Sequence, residues 1–380
     1  MILVFLFISV GLQDKVGFNA PFFPQFIGDS EYRRRYKMEL DTLAEAGIKW
    51  IRPNLAFNWD FSNPDSGTFY TEVMDSIVLW TGKRGMHIVP FVMGTPSWAS
   101  DTSLKFMNDS LKSLYLKRIP PLKMKYWEDF WHFIVERYDG DGINDFPGLI
   151  IPVKQYEVWN EPRGIRYFLG SFEDYCYLYL IAMEAAISAD SECIVIAPVI
   201  EGGLKSTGWA LYDSKKMAVI WTFDKPLIQN HKISNWLEYI IYYLCYIKEK
   251  TGEYPLIISA HLYYADTTNN PYGRIDTLLF AHIDSLFYYL EQDNIENTEV
   301  WVTEIGRRIL EPEEGNKRLE FTKYIISELL DSPYSDRIKI FFFAGLSRNH
   351  SYLERKNFEP TPAFKFIKKI MLNQEPPNNH

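Results

Sequence analysis

Eight short apolar runs alternate with eight amphipathic stretches along this 380-residue chain. That rhythm predicts an α/β fold, a (β/α)8 (TIM) barrel in a single domain. Two further observations agree. The composition, 47% hydrophobic and 23% charged, is that of an ordinary globular protein. Two glutamates, Glu161 and Glu304, each end a strand-like run, and a parallel barrel delivers every strand end to one face.

The runs that read as strands cover 16–19, 49–52, 87–92, 155–159, 193–197, 256–260, 299–303 and 338–343. Each is short, apolar and rich in β-branched or aromatic residues. The helical stretches between and after them cover 31–46, 70–84, 126–138, 172–189, 235–250, 277–292, 316–330 and 361–370. In the first of these Asp41 and Glu45 face one way while Leu40, Leu43 and Ala44 face the other, which is the helical period. Gly47, Gly85 and Gly252 stand where helices should stop. Three connections are long, 99–125, 198–234 and 344–360, and each leaves the C-terminal end of a strand, where long loops shape a cleft.

The barrel should span 13–372, with a polar, proline-rich tail over 373–380 that reads as disordered. Residues 1–12 are apolar and end in Ser9-Val10-Gly11. They read either as a signal peptide, which implies secretion, or as an N-terminal strand, which implies a cytoplasmic protein. They are too short to span a bilayer, and no other segment reads as transmembrane. A net charge of −9 argues against nucleic acid as a partner. Cys176, Cys193 and Cys245 have no metal-ligand spacing and read as buried thiols, with one disulfide, which would leave one cysteine over, as the alternative. Aromatic residues make up 16% of the chain, enough for a large core and for platforms on which sugars stack.

The chemistry sits at the strand ends. Two carboxyls meeting on one face suit glycosidic bond hydrolysis, one protonating the leaving oxygen and one attacking the sugar. Glu161 lies in Val158-Trp159-Asn160-Glu161-Pro162, and Glu304 in Val302-Thr303-Glu304-Ile305-Gly306. A second reading of the first segment is a helix start, with Asn160 as cap and Pro162 in the first turn. His261 and Tyr263 are two apart on a strand, so both point to one face. They line either a site or the core.

These two segments closely resemble the strand-four and strand-seven motifs of clan A glycoside hydrolases, the retaining (β/α)8 group that includes families five and thirty-nine. Ile51-Arg52, Gly94-Thr95-Pro96-Ser97-Trp98, His261-Leu262-Tyr263 and Pro360-Thr361-Pro362-Ala363-Phe364 add to the likeness, in the right order. The resemblance implies Glu161 as general acid/base and Glu304 as nucleophile. It implies that Arg52 holds Glu304 charged and oriented, with a structural ion pair as the alternative. It gives Asn160 a contact to the sugar 2-hydroxyl, and His261 and Tyr263 places in the reacting subsite. Trp98 becomes a stacking platform, with Trp59 and Trp159 as weaker candidates and a core role open for Trp159. No cofactor and no metal is implied. One departure stands out. Many members end strand eight in Trp, where this chain reads Phe341-Phe342-Phe343-Ala344-Gly345, and Arg348 can belong to that altered site.

The expected function is a retaining β-glycoside hydrolase acting on a β-linked glycan or oligosaccharide. One alternative is a barrel that binds carbohydrate without cutting it. Another is a metal-dependent barrel hydrolase, which needs clustered His and Asp ligands. The histidines at 87, 132, 231, 261, 282, 350 and 380 include no pair one residue apart on a strand.

Overall fold

The structure is a computed structural model. It describes residues 12–100, 116–162, 167–201, 209–213, 218–222, 227–228, 231–232, 236–265, 278–292, 294–308, 315–345, 351–354 and 356–372. The expected leader or strand before Leu12, the tail from 373 on, Arg348 and parts of the three long connections lie outside the described residues.

In chain order the strands are β1 (Val16–Asn19), β2 (Trp50–Arg52), β3 (His87–Ile88), β4 (Phe91–Val92), β5 (Gln155–Val158), β6 (Ile194–Glu201), β7 (Trp209–Asp213), β8 (Ala218–Thr222), β9 (Leu227–Ile228), β10 (His231–Lys232), β11 (Ile257–Ala265), β12 (Glu299–Arg308) and β13 (Ile338–Phe343). The helices are α1 (Ser30–Glu45), α2 (Trp59–Ser62), α3 (Glu72–Gly82), α4 (Met124–Tyr138), α5 (Phe172–Ala189), α6 (Trp236–Thr251), α7 (Leu278–Gln292), α8 (Gly315–Asp331) and α9 (Pro362–Met371). Each expected strand and helix is present with ends shifted by a few residues. The expected third strand is divided into β3 and β4, because Pro90 has no N–H to give a ladder.

The chain divides into two compact units. One comprises Met1–Asn54, Ile77–Ile88 and Ala260–His380, the other Leu55–Ser76 and Val89–Ser259. In the first unit the strand order is β3-β2-β1-β13-β12-β11, and β3 with β2, β2 with β1, β1 with β13 and β13 with β12 pair in parallel. In the second, β4, β5 and β6 pair in parallel, and Ser259 Oγ at the start of β11 donates to Ala197 O. The connection expected as an open loop over 198–234 carries two antiparallel pairs, β7 with β8 and β9 with β10. Their pairing partners are a few residues away, a local rule that the strand–helix rhythm does not reveal.

Helix ends follow local chemistry. Asp29 caps α1 by accepting from the N–H groups of Glu31 and Tyr32, and the helix buries Tyr36, Glu39, Leu40 and Leu43. A capping box opens α5: Ser171 Oγ accepts from Asp174 N–H, and the Asp174 carboxylate accepts from Ser171 N–H. Thr361 caps α9 with Pro362 in its first turn, and Ala363, Phe364, Ile367 and Met371 go inward. Phe364 meets Phe18 of β1 edge-on at 5.6 Å. No helix among the described residues is long and apolar enough to cross a membrane.

The other face of β1 is crowded. A Cβ on Gly17 would lie 2.9 Å from Trp50 Cβ and closer still to the Phe341 ring, so only glycine fits. Beside this layer, Lys339 Nζ stands 3.4 Å from the Trp50 ring centre and 4.2 Å from that of Trp301. His87 stacks on Trp50 at 4.9 Å. The cysteines form no disulfide with one another. Cys176 and Cys193 are buried, which pushes the Cys193 thiol up to about 12, but Cys245 is exposed, because its position on α6 faces outward.

Burial also pushes the Lys339 amine down from 10.5 to about 8. Its unfolded form therefore holds more proton between those values, and stability from this group rises as pH climbs from about 8 to about 10.5. Below that window the buried charge costs its full amount. Lys339→Met should remove the rise and add about 1–3 kcal/mol at neutral pH. Urea unfolding of both proteins at pH 7 and pH 10 checks this. A stability gap equal at the two pH values would refute it.

Candidate active site

The first unit gathers charge where β1, β2 and β12 carry polar residues. Arg52, the last residue of β2, is fully buried. Its Nη1 donates to Glu304 Oε1 at 2.7 Å. The Glu304 side chain is 10% exposed, so both charges have left bulk water. His261 of β11 is fully buried, with Nδ1 3.6 Å from Glu304 Oε2.

Two asparagines complete this cluster. Asn19 ends β1 and is fully buried. Its Nδ2 donates to Thr303 O at 2.7 Å and to Phe341 O at 3.3 Å, and its Oδ1 accepts from Arg52 Nη1 at 3.2 Å. Carbonyl oxygens only accept, so this amide has one sensible orientation. Asn54 follows from it. Turned to satisfy its neighbours, its amide nitrogen donates to Asn19 Oδ1 and Arg52 O, both at 2.8 Å, and its oxygen accepts from Arg52 Nη1 at 3.2 Å. The sequence reading missed both asparagines. No local signal marked them, because the pairing of Asn19 with Arg52 exists only once β1 and β2 lie side by side.

The second unit holds Asn160, Glu161 and Trp98. Glu161 follows β5 and is half-buried, while Asn160 is buried. The backbone around them is unusual: Trp159 has φ 67° and Glu161 φ 45°, the left-handed region that side chains avoid. Trp159 is held there at both ends. Its backbone N–H donates to Val92 O and its indole N–H to Tyr167 O, both at 2.9 Å, and Phe168 meets its ring at 5.2 Å. Such a conformation costs on the order of 1–3 kcal/mol and persists only where packing demands it. Helix α5 begins at Phe172, under its own Ser171 cap, and not at Pro162.

Trp98 is half-buried. Its indole N–H donates to Asn63 O at 2.8 Å, and Tyr126 meets it edge-on at 4.9 Å. The loop that carries it depends on Gly94, whose φ of +89° and close approach to the Asp60 carboxylate exclude a Cβ. Asp60 pairs with Lys117 Nζ at 2.5 Å; burial raises its pKa and Lys117 opposes that rise. Trp59 and Trp159 are fully buried, so both are core residues and neither can offer a face to a sugar. The Tyr263 side chain lies outside the described residues.

Among the described residues of the second unit, Asp139, Asp141 and Asp145 bring carboxylate oxygens within 4.8 Å of one another. These oxygens accept from the backbone N–H groups of Asp141, Ile143, Gly140 and Gly142. They thus stabilise the turn that follows α4.

No protein-family model matches the sequence, and no curated protein sequence does. Solved structures do. The chain matches a GH39 β-xylosidase from Caulobacter crescentus over 95% of its own length and 70% of that chain, with TM-score 0.63 and 14% identity. It matches xylanase 10B from Thermotoga maritima over 97% of each chain, with TM-score 0.57 and 16% identity. A glucosidase from Croceicoccus marinus matches over 87% of this chain, with TM-score 0.55 and 15% identity. The fold is a (β/α)8 barrel. It is the fold of glycoside hydrolases of clan A. This barrel covers 63% of the glucosidase chain but nearly all of the xylanase.

The buried pair makes a direct prediction. Arg52→Met would leave the Glu304 carboxylate without its cation and should cost about 3–5 kcal/mol at pH 7. Arg52→Met combined with Glu304→Gln should recover part of that, since a carboxamide needs no counter-charge. Urea unfolding of the three proteins tests this. Equal loss in the single and the double variant would show that no charge pair is at stake.

Proposed function

We propose that this protein is a retaining β-glycoside hydrolase that cleaves a β-linked glycan or oligosaccharide by double displacement. The observation that supports this reading most is the Arg52–Glu304 pair, a carboxylate held beside a guanidinium inside a barrel fold. A nucleophilic carboxylate must be ionised and aimed, and a 2.7 Å charge-assisted hydrogen bond does both.

In this reading Glu304 attacks the anomeric carbon while Glu161 gives its proton to the leaving oxygen. The glycosidic bond breaks and a covalent glycosyl-enzyme forms. Glu161, now a carboxylate, takes a proton from water, which attacks the same carbon and frees Glu304. Asn160 hydrogen-bonds the sugar 2-hydroxyl, His261 and Tyr263 line the reacting subsite, and Trp98 supplies an apolar face. Neither a metal nor a cofactor takes part. The structural neighbours make β-xylosides and β-glucosides the first substrates to try.

The test begins with aryl β-glycosides and soluble polysaccharides. For a substrate that turns over, kcat/KM should be bell-shaped in pH, because one carboxyl must be charged and the other protonated. Glu161→Gln should flatten the basic limb. Glu161→Ala should lose roughly 10²–10⁴-fold on poor leaving groups and far less on an activated phenol in the first step. A uniform loss would mark Glu161 as structural.

Retaining and inverting hydrolysis differ in outcome. Double displacement needs the carboxyls about 5–5.5 Å apart and retains the anomeric configuration. Glu304→Ala should abolish turnover, and azide should then give the α-glycosyl azide. Proton NMR of early product showing inversion would sink the proposal, as would a substrate complex with the carboxyls roughly 6.5–9.5 Å apart.

A further inference from the structure

We propose that Asn19 is a positioning residue: it fixes where the Arg52 guanidinium points, and through it the charge state of Glu304. The catalytic meaning rests on Glu304 being the nucleophile; the electrostatic claim does not.

Asn19 is the only residue here whose side chain joins strands β2, β12 and β13 at once, among the described hydrogen bonds. Its amide N–H groups hold Thr303 O, one residue before Glu304, and Phe341 O. Its backbone carbonyl accepts from Ala344 N–H at 2.9 Å. The side-chain oxygen is then turned towards Arg52 Nη1. All of this is fully buried. One carboxamide therefore ties the strand that bears the carboxylate to the group that neutralises it.

The donor count explains why the tie matters. Nη1 carries two hydrogens. One goes to Glu304 Oε1 at 2.7 Å. The other is shared by the Asn19 and Asn54 oxygens, each at 3.2 Å. Neutral oxygens suit this place, because they orient the guanidinium without drawing its charge from Glu304. A carboxylate at position 19 would compete for the same cation. An alanine would leave that hydrogen to the Asn54 oxygen alone and let the head group turn. In both cases the charged form of Glu304 loses support, so its proton should leave at higher pH.

The test uses the full chain carrying carbon-13 in its Glu carboxyl groups, with Glu304→Gln to assign the signal. Wild type, Asn19→Ala and Asn19→Asp are titrated below their melting temperatures. The expected result is an upward shift of the Glu304 midpoint by about 0.5–1 pH unit in Asn19→Ala, and by more in Asn19→Asp. On an aryl β-glycoside that wild type cleaves, the acid limb of kcat/KM should move the same way. At neutral pH kcat should fall about 10-fold while KM stays within about threefold, because the interaction acts on the charge at Glu304 more than on sugar binding. A merely structural Asn19 would lower Tm and leave both midpoints unmoved, which overturns the proposal. If neither Asn19 variant folds, Asn54→Ala serves. It removes the second oxygen on Nη1 and should raise the Glu304 midpoint, and an unmoved midpoint there also overturns the claim. Should Glu304→Ala keep its activity or give no azide product, the nucleophile reading fails, while the carbon titration still decides the role of Asn19.

Discussion

A guanidinium with no access to water must be answered by a carboxylate and by enough acceptors to use its hydrogens. Arg52 sets that constraint in the first unit. Glu304 supplies the charge, and the Asn19 and Asn54 oxygens take the second hydrogen of Nη1. Because these groups sit on or just after three strands, β1, β2 and β12, the requirement also sets register. Arg52 pairs with Asn19, and Asn19 with Phe343, so the same layer that neutralises the charge aligns β2, β1 and β13. A slip of one residue would turn these side chains to the wrong face and leave two ions buried alone.

The layer two residues earlier meets an opposite demand. It is apolar, and Gly17 makes room there for Phe341 and Trp50. Lys339 is the exception, its amine set between the rings of Trp50 and Trp301. Burial pushes this amine down, and cation–π contact with the two rings opposes that by favouring the ammonium. Among the described residues, the two buried cations of this unit thus differ in kind. Arg52 has a carboxylate at hydrogen-bond distance, whereas Lys339 has mainly ring faces.

In the second unit the comparable constraint is steric. Trp159 occupies the left-handed region because its two N–H groups are both tied to carbonyls and its ring is packed. Glu161 follows two residues later, again at positive φ. The strain thus lies in the segment that carries the proposed acid/base, which is where backbone strain tends to be kept. Nearby, Gly94 is required by its own φ and by the Asp60 carboxylate, and through the same loop it determines where Trp98 stands.

Much of the fold was legible in the chain because periodicity is a local property. Runs such as 338–343 and 172–189 predict their own elements, since burial on one face writes itself into the spacing of apolar residues. The motifs around Glu161 and Glu304 were legible for a similar reason: each is a strand end with its chemistry attached. What the sequence could not disclose were relations between residues distant along the chain. Asn19 looks like any polar residue after VGF until β2, β12 and β13 close around it, and Asn54 looks like part of a turn after Pro53. Trp59 offered itself as a platform, and only packing against Trp127 and Phe130 made it core. Local spacing determined which elements form. Tertiary structure decided which polar side chains lose water and find one another, because the cost of burying a charge is settled only by what surrounds it.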